Sequence, residues 1–172
     1  MELTPDFDFT EILNGEKVMT FHPLRLHQHV SQNINRLLVN YVYSNKLGNV
    51  FYSPLDVILQ EGVQVVQPDL LFIKKENAAI EQDWIRGVPD MICEIIGKGT
   101  YIKDTVVKKE IYEACKVPEY WMIFPELLFV EVFVLDSDEK YFLYSYAEGK
   151  GTVKSKILEG FEFNIKDIIP DN

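Results

Sequence analysis

One acid constrains this chain more than any other residue. The run Met91-Ile92-Cys93-Glu94-Ile95-Ile96 is a short, nearly continuous apolar segment of the kind that becomes a strand covered on both faces. Glu94 sits in its middle. An ionised carboxylate enclosed there is costly, so it must raise its pKa, find a partner or hold a cation. A second acid, Asp69, occupies a similar run, Gln67-Pro68-Asp69-Leu70-Leu71-Phe72-Ile73. Two acids embedded in apolar strands point to a shared site, and the natural shared partner is a divalent metal.

The 172 residues suffice for one domain with a substantial core, and residues 1–172 are expected to form a single domain. Lys and Arg total 17 against 27 Asp and Glu, a net charge of −10. That balance argues against a non-specific binder that grips nucleic acid through a basic surface. It leaves room for an enzyme that engages a phosphate backbone through a few lysines and a metal. Cys93 and Cys115 lack metal-ligand spacing and read as thiols in a reducing compartment. The opening residues Met1 to Asp6 contain no apolar signal segment, and no stretch has the length of a membrane span. The expected location is the cytoplasm, with no membrane partner.

Along the chain, Phe9 to Leu13 suggests a short helix ending at Asn14-Gly15, followed by a strand from Glu16 to Phe21. Leu24 to Tyr43 carries apolar residues at helical spacing and predicts a long helix. Strands are expected at Val50–Tyr52, Asp56–Leu59, Val65–Ile73 and Asp90–Ile96, with a surface connection over Ala78–Gly87. A helix from Tyr101 or Asp104 to Lys116 separates the Glu94 strand from another at Tyr120–Phe124. This order predicts a strand–helix–strand unit inside a mixed sheet. Leu128–Leu135 and Lys140–Ala147 read as a hairpin. Thr152–Leu158 is expected as a last strand, and Phe161–Ile169 as a terminal segment packed on the edge.

The helix after Glu94 supplies a third chemical group. At about 100° per residue, Val107, Ile111, Ala114 and Cys115 share an apolar face, and Asp104, Lys108 and Tyr112 line its border. Lys108 can therefore reach a half-buried site beside the sheet, whereas Lys109 should be solvated. Two carboxylates that hold Mg²⁺ or Mn²⁺, with a lysine beside the activated water, are what metal-dependent phosphodiester hydrolysis requires. The carbonyl of Ile95, adjacent to Glu94, is the natural backbone ligand.

An ordered set of short motifs resembles the Uma-type family of the PD-(D/E)XK restriction-endonuclease-like superfamily along nearly the whole chain. The motifs are Phe9-Thr-Glu11-Ile-Leu-Asn-Gly15-Glu16, His27-Gln28, Gln67-Pro68-Asp69, and Val88-Pro89-Asp90-Met-Ile-Cys-Glu94-Ile-Ile. They continue with Asp104, Lys108 and Tyr112 spaced by four, and end with Val117-Pro118-Glu119-Tyr120-Trp121. The resemblance implies an α/β, restriction-endonuclease-like fold: a central mixed β-sheet flanked by helices, with an added C-terminal β-hairpin region. It implies a Mg²⁺- or Mn²⁺-dependent endonuclease acting on nucleic acid, with DNA the expected polymer and a homodimer compatible with cutting two strands. Asp69 and Glu94 would hold the metal, Lys108 would act on water, and Glu11 would be an accessory acid from the first helix. The superfamily's usual lysine, two residues after the Glu, falls here on Ile96, and the family's lysine maps to Lys108.

The chain departs from the family at Gly97-Lys98-Gly99-Thr100, which places an alternative lysine, Lys98, at the mouth of the site. A rival reading is an idle binding or regulatory module that keeps the fold while its acids and Lys108 form a structural network. Asp90, His27 and Tyr112 are expected to be structural, and Tyr120-Trp121 to belong to the core.

Overall fold

The computed structural model describes residues 10–19 and 23–170. The strands are β1 (Thr10–Leu13), β2 (Glu16–Met19), β3 (Gly48–Tyr52), β4 (Val57–Gln60), β5 (Gln64–Val66), β6 (Leu70–Lys74), β7 (Ile85–Arg86), β8 (Met91–Ile95), β9 (Glu119–Phe124), β10 (Phe129–Leu135), β11 (Tyr141–Glu148), β12 (Thr152–Lys154) and β13 (Glu162–Asn164). The helices are α1 (Arg25–Ser44), α2 (Lys109–Ala114) and α3 (Ile165–Ile168), and a π-helical segment, Lys103–Lys108, leads into α2. The main sheet has the order β11-β10-β9-β8-β6-β3, and a smaller one has the order β2-β1-β5-β4-β7. Strands β8 and β9 run parallel across the intervening helix, as the strand–helix–strand pattern requires, while the other pairs in the main sheet are antiparallel. The sheet is therefore mixed.

Each face of the main sheet carries its own apolar layer. Helix α1 lays Val30, Ile34, Leu38 and Val42 on one face, over Leu70, Phe72, Met91, Cys93 and Trp121. Leu71, Ile73, Ile92 and Tyr120 point to the other face, toward Ile111 and Tyr112. Strand alternation assigns these sides. Glu94 has the parity of Ile92 and turns toward the α2 side, while Asp69, in the bend just before β6, sits at the sheet end within reach of α1. Register then brings them together: Leu70 lies opposite Cys93, and one antiparallel step further Asp69 meets Glu94.

Three expectations change. The segment leading to Asn14-Gly15 is a strand: β1 pairs with β2 from Thr10↔Met19 to Leu13↔Glu16. Asn14 and Gly15 have φ of 54° and 80°, the two positive values of a two-residue hairpin turn, for which Asn-Gly is a strong signal. Phe9 and Phe21 lie outside the described residues. The stretch Val65–Ile73 is two strands in two sheets, because Gln67-Pro68-Asp69 carries the chain across and proline cannot donate to a ladder. The strand beginning at Thr152 stops at Lys154.

That early stop has a cause in β9. Glu119 is fully buried, and its carboxylate accepts hydrogen bonds from Trp121 Nε1 (2.6 Å), Ser155 Oγ (2.6 Å), and the backbone N–H groups of Lys156 (2.7 Å) and Ile157 (3.0 Å). The chain after Lys154 wraps this carboxylate instead of extending. Tyr120 and Trp121 are buried core residues, as expected. Asp90 is structural, accepting from Lys74 N and Asn77 Nδ2. Glu119→Gln replaces one of two acceptor oxygens with a donor facing other donors. It should lower stability in urea unfolding by about 3 kcal/mol, and an unchanged midpoint would contradict this role.

Candidate active site

The sheet ends described above converge on a cavity of about 430 Å³ whose lining includes Asp69, Glu94, Ile95, Lys103, Asp104 and Lys108. Asp69 reaches it from the turn before β6. Its Oδ2 accepts the backbone N–H of Ile95 at 2.7 Å and lies 3.1 Å from His27 Nε2 on α1. The backbone N–H of Asp69 is 3.4 Å from Glu94 Oε2. Opposite, Glu94 Oε1 accepts from Lys108 Nζ at 2.8 Å and from the Tyr112 hydroxyl at 2.7 Å. Lys108 and Tyr112 are one helical turn apart, so a single helix face supplies both donors.

Glu11 closes the network from behind. Its Oε1 takes Lys108 Nζ at 2.7 Å and the backbone N–H of Gln67 at 2.8 Å, and its Oε2 takes Lys103 Nζ at 2.8 Å. It comes from strand β1 rather than from a helix, which corrects the expectation for its element. Lys108 is 2% exposed and Glu94 3%. By contrast, Lys98 is 85% exposed and pairs with Glu126. Lys109 is half-buried rather than solvated, with Nζ 3.4 Å from the Phe133 ring centroid.

The electrostatics follow from four carboxylates (Glu11, Asp69, Glu94, Asp104) around two ammonium groups. Burial pushes Glu94 up to about 8, Lys108 works against the shift, and the neighbouring acids Asp104, Asp69 and Glu11 add to it. Burial also dominates the upward shift of Asp104. Burial opposes the charge on Lys108 and Glu11 as well, but there the partners win. Glu94 and Glu11 hold the ammonium well above its ordinary pKa, and Lys108 and Lys103 hold Glu11 below its own. His27 is raised because its contact with Asp69 outweighs its burial. Tyr112, raised by burial and by Glu94, stays a phenol and donates. Asp104 is buried, and its Oδ1, 3.7 Å from Lys108 Nζ, has no hydrogen-bond partner among the described residues.

Hard oxygen donors with an excess of negative charge suit a divalent cation of the Mg²⁺ class. Among the described residues, no three His, Cys, Asp or Glu side chains converge tightly enough to cage a metal unaided. Mg²⁺ fits that arrangement, because it is usually held by one or two carboxylates with water and substrate phosphate completing its shell.

The family model described as "Uma2: Putative restriction endonuclease" matches residues 3–166. The chain belongs to the Uma2 family. Among solved structures it is similar to a crystal structure titled a "putative nuclease belonging to DUF820" from Anabaena variabilis. The TM-score is 0.73 at 18% identity, over 93% of this chain and 89% of that one. No curated protein matches it significantly. The fold is thus α/β and restriction-endonuclease-like, and the Uma2 resemblance read from the motifs is correct.

The Uma2 motifs place Asp69, Glu94, Lys108, Ile95 and Glu11 in one neighbourhood. Four partners went unassigned from the sequence. His27 and Tyr112, expected to be structural, each bond one of the two acids. Asp104 stands four residues before Lys108, the spacing at which an acid and a lysine can pair on a helix, and the structure puts the two 3.7 Å apart. Lys103 gave no signal, since only the π-helical turn swings it toward Glu11.

Two tests follow. Lys108→Met strands two buried carboxylates and should cost about 3–5 kcal/mol in urea unfolding, with part recovered in the Glu94→Gln/Lys108→Met double variant. In metal-free buffer, folded Glu94 retains a proton that the unfolded chain has lost. Its contribution to stability therefore falls as pH rises from about 4.5 to about 8. Glu94→Gln should flatten that segment of a Tm–pH curve. Glu11, shifted down, contributes stability above the ordinary carboxylate range and loses it as pH falls.

Proposed function

We propose that the chain is a divalent-cation-dependent nuclease that hydrolyses phosphodiester bonds, in DNA foremost, and that it works as one catalytic domain over residues 1–172. The observation that carries this reading is the meeting of Asp69 and Glu94 at the floor of the cavity, with the Lys108 ammonium on Glu94. Mg²⁺ or Mn²⁺, held by Asp69, Glu94 and the Ile95 carbonyl, would neutralise phosphate charge and acidify a bound water.

The protein groups then have separable tasks. The Ile95 N–H and His27 fix Asp69 Oδ2, which orients the remaining oxygen. Tyr112 fixes Glu94 in the same way. Lys108 positions the attacking water and stabilises charge on the phosphate. Because Glu94 cannot serve a cation and Lys108 equally well, the ammonium needs a second seat. The unpartnered Asp104 Oδ1, 3.7 Å away, is placed to take it. Glu11 steadies both lysines and contributes to the cation shell through water. Two such chains acting as a homodimer would suit cleavage of two strands.

The tightness of the Lys108–Glu94–Glu11 network favours one rival, an idle module with the same fold, and two measurements separate them. Oligonucleotide cleavage in Mg²⁺ or Mn²⁺ should fall roughly 100-fold or more in Lys108→Met and vanish in Glu94→Ala. Cleavage that survives Glu94→Ala unchanged would exclude this site. Saturating Mn²⁺ should raise Tm by several degrees in the wild type and not in Asp69→Asn, since only a folded site binds the ion. A wild type indifferent to Mn²⁺ favours the idle module.

A further inference from the structure

The cavity over Asp69 and Glu94 continues beyond its rim. A second depression of about 390 Å³ adjoins it, and Gln28, Ser31 and Tyr52 line both. Arg25, His29, Gln32 and Asn35 complete its described lining. Helix α1 builds this trough with the face opposite its buried stripe: residues 25, 28, 29, 32 and 35 recur at spacings of three and four, away from Val30, Ile34 and Leu38.

The chemistry of the trough is unlike that of the rest of the chain. The protein carries 27 acids against 17 basic residues, yet none of the described residues lining this depression is acidic. It offers a guanidinium, amides, a hydroxyl and an imidazole. Tyr52 stands at the junction with the catalytic cavity, 62% exposed, and its ring stacks on no other ring among the described residues. An acid-free groove with an open aromatic platform matches a polyanion with flat, unpaired bases. The reacting groups are also recessed: Glu94 and Lys108 are almost fully buried at the cavity floor. A base can stack on Tyr52 only if it has left its own stack, and a phosphate descends to that floor more readily on a flexible strand than on a rigid duplex.

We infer that this trough is the track of a single nucleic-acid strand, with one base stacked on Tyr52, a neighbouring phosphate on Arg25, and the α1 amides along the backbone. The substrate class is therefore single-stranded nucleic acid, or an unpaired or frayed segment of a duplex. The inference rests on the nuclease reading above and narrows it.

The test is fluorescence anisotropy of the full chain with a labelled single-stranded DNA oligonucleotide and with its duplex, using calcium ions in place of magnesium. The single strand should bind more tightly than the duplex. Tyr52→Ala should weaken single-strand binding roughly tenfold, and Tyr52→Phe, which keeps the ring, should restore it. Arg25→Ala should reduce the slope of log affinity against log salt by about 0.7. Both residues are exposed, so the fold should survive, and circular dichroism checks that. Duplex binding as tight as single-strand binding, or affinity indifferent to Tyr52→Ala, overturns the inference and leaves the nuclease reading standing. Failure of the wild type to bind either oligonucleotide overturns both.

Discussion

The cluster of acids at the sheet end depends on one buried ammonium. Lys108 sits on Glu94 and Glu11, with Asp104 in reserve. Without that charge the chain could not keep so many carboxylates out of water, because each would have to take a proton or leave the interior. With it, the cluster still holds more negative than positive groups. Burial drives Glu94 up, with the neighbouring acids adding to it, and the negative excess would favour a further cation beside Asp69. In the nuclease reading proposed above, the same contacts serve stability in the metal-free protein and reactivity in the loaded one.

The fold delivers these groups through ordinary strand and helix geometry. Alternation along β8 turns Glu94 toward α2, and the antiparallel β6–β8 register brings Asp69, just before β6, beside it. The parallel β8–β9 connection swings the intervening helix back over the sheet. The four-residue repeat of that helix then stacks Asp104, Lys108 and Tyr112 along the acids. The π-helical segment Lys103–Lys108 widens the turn there and lets Lys103 and Lys108 both address Glu11. Outside the cavity lining, Glu119 anchors the C-terminal strands by a different device, four donors on one carboxylate, with no ion pair among the described residues.

Much of this was legible in the sequence because the decisive features are local. An acid inside an apolar run announces its own burial, and helical spacing separates Lys108 from Lys109, whereas Lys98 is set apart only by the fold, which leaves it exposed on Glu126. What escaped depends on tertiary context. The pattern before Asn14-Gly15 fits either a helix end or a hairpin, and pairing with β2 decides for the hairpin. The break at Pro68 is visible, but its consequence, transfer to another sheet, is not. His27 and Tyr112 look structural one at a time and become part of the site only when Asp69 and Glu94 arrive beside them. Asp104 shares a period of four with Lys108, but that its Oδ1 lacks a hydrogen-bond partner among the described residues is visible only in the fold.

The most direct measurement is a crystal structure of the wild-type protein soaked in Mn²⁺, read by anomalous scattering. One peak is expected between the carboxylates of Asp69 and Glu94, near the Ile95 carbonyl, with the Lys108 ammonium moved off Glu94 toward Asp104. No peak at that position, with Lys108 still seated on Glu94 at a Mn²⁺ concentration that supports cleavage, would contradict the proposed site.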